Sequence, residues 1–245
     1  MHISYERIMT MSTTLITPGY DKPKSIAEQI AILRRDFSIL CSADEQIATG
    51  TLPLNAEGWF AIPRWEALAR TYGEALEKVL VKNGSKETGW FRLDNYLDGG
   101  LGPQYLRQHA RTVVMFQELG NEQKDHDILI ISAQFGSHHR GRSVLEAREV
   151  MGASEFGLGA FAVGIMLLTH PRRFPQRFPL QLGNNEKLCI NCPGDEYRGK
   201  ADGQFVGVPC FGITSRVNDD LTWLRWREID RVDGYFGSAS GFLSQ

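Results

Sequence analysis

The run EFGLGAFAVGIMLLTHP, Glu155 to Pro171, constrains the fold of this chain more than any other stretch. Between Phe156 and Leu168 no residue is charged. A bilayer-spanning helix needs about 20 apolar residues, and this run has 13. It is expected to be a core helix, apolar all round and enclosed by other elements of the same chain. Gly157, Ala160 and Gly164 recur at i, i+3 and i+7 and leave a smooth strip. A glycine weakens a helix by about 1 kcal/mol, so close packing along that strip must offset the loss. The spacing predicts that the helix starts after Ser154, with Glu155 in its first turn. A carboxylate is favoured there by the helix dipole. The alternative for Glu155 is a place beside a histidine-bearing loop, as a metal ligand or base. His170 fits the last turn, where histidine is also favoured, and a ligand role is its alternative.

A chain of 245 residues, 42% hydrophobic and 23% charged, can build that enclosure and is not expected to be disordered. Residues 1–24 read as an irregular arm, and 25–245 as one globular domain with a sub-boundary near 83–102. Ser25 and Glu28 form a capping box ahead of Ile26, Ile30, Leu33, Phe37 and Leu40, which predicts a helix from 25 to about 40. A second helix is expected to start near Pro63, and a third at Pro103 with Gly120 as its stop. A short strand is expected at Trp90 to Leu93, and a buried one at Ile128 to Ser132. Helical spacing resumes at Val144. Leu188, Ile190 and Cys192 alternate as in a half-buried strand, and the chain beyond 203 reads as β-rich, with turns at Asn218-Asp219 and Asp233-Gly234. The fold class is therefore α+β: a helix-rich N-terminal half, a central βα unit, and a β-rich C-terminal tail packed on the glycine-rich core helix.

The stretch AQFGSHHRGRS, residues 133–143, lies between the strand and the helix of that central unit. Ligands of open sheets often sit beyond the carboxyl ends of strands. Ser143 can cap the following helix, whose unpaired N–H groups attract anions. Arg140 and Arg142 can hold phosphate or carboxylate through charge-assisted bonds, with Gln134 and Ser137 as polar neighbours. His138 and His139 can move protons near neutral pH. An exposed connection with Ser143 as a plain cap is the competing reading.

Asp195 and Glu196, in the turn-like NCPGDEY, are adjacent carboxylates suited to bind a cation or act as acid and base if they meet the histidine loop. Cys189 and Cys192 have C-x-x-C spacing but no second pair, and in a strand they point to opposite faces, so no metal site is assigned to them. Arg172, Arg173 and Arg177 alternate with Phe174 and Phe178, a mixture that suits nucleic acid as well as an ordinary surface. No Walker, Rossmann or G-x-S-x-G pattern is present.

Net charge is −2, which does not demand a nucleic-acid partner. The low cysteine density and the lack of a signal-like N-terminus lead us to expect a cytoplasmic protein that neither spans nor binds a membrane. The order LGPQYLRQHARTV, DILIISAQFGSHHRGRSV, EFGLGAFAVGIMLLTHP, GDEY, YFGSASGF resembles hypothetical proteins of uncultured bacteria over roughly the last 140 residues. That resemblance implies a bacterial protein and transfers no reaction, cofactor or catalytic residue.

Residue chemistry thus leads us to expect a phosphate- or carboxylate-bearing ligand in the 134–143 loop. His138, His139, Asp195 and Glu196 would be its catalytic groups, Gln134, Ser137, Arg140, Arg142 and Ser143 its binding groups, and hydrolysis of a phosphoester its reaction. The alternatives are a nucleic-acid-binding accessory protein using the arginines of 138–148 and 172–177, and a non-catalytic structural or partner-binding protein of a mobile element.

Overall fold

The first helix shows how the chain fastens itself together. α1, Ile26–Phe37, starts at the capping box: Ser25 Oγ accepts the Glu28 N–H and Glu28 accepts the Ser25 N–H. It buries Ile26, Ile30 and Leu33, and also Gln29. The Gln29 carboxamide donates to the Lys24 and Trp59 carbonyls and accepts the Ala61 N–H, stitching the helix to the next strand. The structure is a computed structural model and describes residues 23–38, 42–84, 92–95, 97, 100–171, 189–216 and 219–243. The arm expected over 1–24 lies almost wholly outside these residues. So do Arg172, Arg173, Phe174, Arg177, Phe178 and Leu188, and with them the basic half of the nucleic-acid reading.

β1 is Gly58–Pro63, α2 is Tyr72–Asn83, β2 is Arg92–Asn95 and β3 is Leu106–Gln108. Pro63 therefore closes a strand, and only a three-residue 3-10 turn, Trp65–Ala67, follows it in place of the expected long helix. β1 lies at the edge of its sheet, where a residue without an N–H is tolerated. α2 starts nine residues later, behind Thr71, whose Oγ1 accepts the Glu74 N–H. Pro103 likewise opens no helix. Leu106 pairs with Tyr197, a partner distant in sequence that no local spacing reveals. α3, Ala110–Glu122, begins only after that strand and runs through Gly120, against which Arg64 packs.

β4 is Ile128–Gln134, α4 is Val144–Val150, β5 is Glu155–Gly157 and α5 is Ala160–Thr169. The C-terminal part adds β6 Cys189–Asn191, β7 Asp195–Tyr197, β8 Gly207–Arg216, β9 Asp219–Glu228, β10 Phe236–Ser238 and β11 Ser240–Phe242. The class is α+β, with helices clustered in the N-terminal half and strands concentrated toward the C-terminal half.

Two sheets result. One has the order β1-β4-β11-β5, with antiparallel neighbours throughout. The other runs β10-β6-β8-β7-β3, with β9 joining β8 and β2 joining β9. All ten residues of α5 are buried. It packs on α1, α2 and β1, and Phe211 of β8 reaches it from the second sheet. A Cβ on Gly164 would meet Val79 of α2 at 2.8 Å, so the smooth strip is used there. Gly157 belongs to β5 instead, where it lies against Pro193 and Gly194. Among the described residues no helix is long and apolar enough to cross a membrane.

Candidate functional site

Three neighbouring strands bring polar side chains to one face of the first sheet. Ser240 is in register with Gln134 on one side and with Gly157 on the other, and Phe242 is in register with Glu155. Side chains two apart on a strand share a face, so Gln134, Ser240 and Glu155 all project the same way. The absence of a side chain at Gly157 leaves Glu155 room beside Ser240. Ser240 Oγ donates to Glu155 Oε1 at 2.5 Å, and the Gln134 carboxamide donates to Ser240 Oγ at 2.9 Å and to the Ser238 carbonyl at 2.8 Å.

The loop after β4 folds back over this face. Gln134 Oε1 accepts the N–H groups of Gly136 and His138. Gly136 has φ 117, a left-handed conformation that side chains resist. A Cβ on Gly237 would overlap the Gly136 carbonyl oxygen. Gly237→Ala is therefore expected to displace the loop and lower stability by roughly 1–3 kcal/mol, read by urea unfolding.

This path seats His139 on the polar face. His139 has no exposed surface, and its Nε2 lies 2.7 Å from Glu155 Oε1. Arg142 Nη1 donates to His139 Nδ1 at 3.4 Å and to the His138 carbonyl at 3.2 Å. An accepting Nδ1 places the proton on Nε2, so the imidazole donates to the carboxylate. The His138 ring lies against His139 at 4.5 Å between centroids, tilted by 60°, and is exposed. Burial, His139 and Arg142 hold the His138 imidazole below the usual histidine range. Burial alone would raise the Glu155 carboxyl, but the bonds from His139 and Ser240 outweigh it and the carboxyl falls below its ordinary value.

Glu155 is thus a strand residue beside the histidine loop, not the dipole partner of a helix's first turn. The first turn of α5 comes later, and Asp195 Oδ2 accepts its Ala160 N–H at 2.7 Å. Ligand atoms of His138, His139 and Glu155 all lie within 4.8 Å of one another. Two imidazoles and a carboxylate are a donor set suited to a first-row divalent ion such as zinc or manganese. The 2.7 Å between His139 Nε2 and Glu155 Oε1 is a hydrogen-bond distance, whereas ligands at about 2.1 Å on a tetrahedral ion stand roughly 3.4 Å apart, so an ion would have to displace the Nε2 proton and part the two groups.

The other expected residues are held differently. Ser143 and Glu146 form a capping box, so the start of α4 is supplied with its own acceptors. Ser137 Oγ donates to Glu57 at 2.7 Å, and Arg140 Nε donates to the Gly234 carbonyl at 2.8 Å. Asp195 and Glu196 lie in a strand rather than a turn and make their bonds elsewhere. Asp195 is fully buried and accepts from Tyr72 and Ala160, while Glu196 pairs with Arg107 at 2.7 Å. The sheet that carries the loop is antiparallel, so the parallel-sheet rule that drew attention to it has no place here. Cys189 and Cys210 share one cluster while Cys192 lies in the main core, which separates the C-x-x-C pair.

Sequence reading overlooked Ser240 as a partner, along with Asn191 and Ser238. Asn191 and Ser238 are in register on β6 and β10, both fully buried, and neither the Asn191 carboxamide nor the Ser238 hydroxyl has a hydrogen-bond partner among the described residues. Buried polar atoms of this kind are rare and mark strain, function or a bound polar species. Polar residues at alternate positions of otherwise apolar strands were the available signal. No protein-family model, curated protein or solved structure matches this chain. Function therefore has to be argued from the site, and the resemblance to hypothetical bacterial proteins adds none.

Proposed function

We propose that the protein binds a divalent transition-metal ion through His138, His139 and Glu155, and beside it a phosphate- or carboxylate-bearing ligand. The observation that carries this reading is the convergence of the three donor groups within 4.8 Å on a buried, hydrogen-bonded polar face. A bound ion of this kind polarises a phosphoryl oxygen and lowers the pKa of coordinated water. The chain's own groups divide the remaining work. Ser240 and Gln134 orient the carboxylate, as outer partners of metal ligands do. Exposed His138 gives access from solvent. Arg142 holds the loop with Nη1 and turns its remaining guanidinium N–H groups, for which no acceptor exists among the described residues, to the anion. Hydrolysis of a phosphoester is the reaction class this arrangement suits. The buried thiols of Cys189, Cys192 and Cys210 support a cytoplasmic setting.

Calorimetric titration with zinc and manganese tests the reading. One ion per chain is expected, with magnesium binding far more weakly because imidazole is a poor magnesium ligand. Inorganic phosphate should bind more tightly to the metal-loaded protein, and the loaded protein should cleave bis(p-nitrophenyl) phosphate. Unchanged zinc stoichiometry and affinity in His138→Ala would refute the site. Metal binding without any phosphate response would refute the anion reading alone.

A further inference from the structure

A second site lies away from the histidines. A cavity of about 290 Å³ opens between the end of β1, the start of α2, α3 and the start of α5. Its size sits at the lower end of small-molecule pockets. Trp65, Phe116 and Phe161 form much of its wall, with Tyr72 between Trp65 and Phe161 at ring separations of 6.2 and 6.1 Å. These rings are braced from behind. Phe116 meets Phe156 edge-on at 5.4 Å, and the Tyr72 hydroxyl donates to Asp195 at 2.8 Å. Asp195 also binds the first N–H of α5, so the wall is anchored to a helix start.

The charges at this cavity offset one another. Arg64 and Glu66 both line it. The Arg64 guanidinium is already committed to the carbonyls of His126, Gly120 and Gln123. No strong field therefore selects an ion. Two carboxamides, Gln108 and Gln117, also line the cavity, and neither side chain makes a hydrogen bond among the described residues. A carboxamide offers two donors and one acceptor oxygen. Aromatic walls with a few placed polar groups are how proteins hold flat organic ligands.

We propose that this cavity binds a small, flat, uncharged ring compound with an amide-like edge, its faces against Trp65, Phe116 and Phe161 and its edge read by Gln108 and Gln117. The proposal is independent of the metal site, and its test is run with a chelator present. Isoquinolin-1(2H)-one, a neutral bicyclic lactam, is the probe, and naphthalene-1-carboxylate is its anionic counterpart of similar shape. Ligand-observed NMR titration should show saturable binding of the lactam and at least about tenfold weaker binding of the carboxylate. The double variant Gln108→Ala, Gln117→Ala should weaken lactam binding by about fivefold or more. Val113→Trp, which fills the cavity from α3, should abolish it. If Val113→Trp does not fold, the partly exposed glutamines still decide the matter. Absence of saturable lactam binding, equal affinity for the carboxylate, or an unchanged affinity in the double variant would each overturn the proposal.

Discussion

Glu155→Ala is expected to destabilise the fold by about 3–5 kcal/mol and to abolish zinc binding in the same protein. For a chain of this size that corresponds to a fall in Tm of roughly 6–20 °C. The reason lies in what the carboxylate holds. It accepts from His139, which has no exposed surface, and from Ser240, which has none either. Alanine leaves both donors buried without an acceptor, and that penalty is larger than the net value of the bonds themselves. Glu155→Gln separates the two roles. The amide oxygen can still accept from Ser240 and His139, so most of the stability should survive, while the charge that an ion needs is gone. The measurement is the zinc-induced rise in Tm for wild type and both variants. A full zinc response in Glu155→Gln would show that the carboxylate is structural only, and the metal reading would fall.

Asp195→Asn is expected to remove a steep dependence of stability on pH. Burial pushes the Asp195 carboxyl up to about 7, even though the Ala160 N–H, the Tyr72 hydroxyl and Arg148 all favour its charged form. Below about pH 4 the folded and unfolded chains both hold this proton, and the group adds no slope. Between there and about pH 7 only the folded chain holds it, so stability falls as pH rises, by up to about 1.4 kcal/mol per unit. Above that range both states are ionised and the slope vanishes. The total lost across the window is on the order of 4 kcal/mol. Asparagine cannot ionise, so the stability difference between wild type and variant should shift steadily in favour of the variant as pH is raised. Urea unfolding at about pH 5 and about pH 8 measures it. A difference that stays constant between the two would mean that Asp195 does not titrate in this range.

These two carboxylates also show where local reading succeeds and where it stops. The capping box at Ser25, the cap at Ser143, the strand starting at Ile128 and the burial of the glycine-rich helix all follow from residues within a few positions of one another. Pro63 and Pro103 misled, because proline fits the end of an edge strand or a turn as well as the start of a helix. One of the strands involved is buried except at Trp59 and the other is only three residues long, so neither carries an alternation to reveal it. Asp195 and Glu196 looked equivalent as neighbours in a polar stretch. In β7 they face opposite sides, one sealed against Tyr72 and the other paired with Arg107 near the surface.

By itself the amino-acid order determined the α+β class, the enclosed core helix and a histidine-rich loop directly after a buried strand. Only the tertiary structure decided that Glu155 and Ser240, 85 positions apart, would stand beside that loop, and that Asp195 would serve a different part of the molecule. Helix caps and apolar spacing act within one or two turns of chain. Strand register is set by pairing between distant segments, and a shift of one residue would have turned Glu155 and Ser240 to the opposite face.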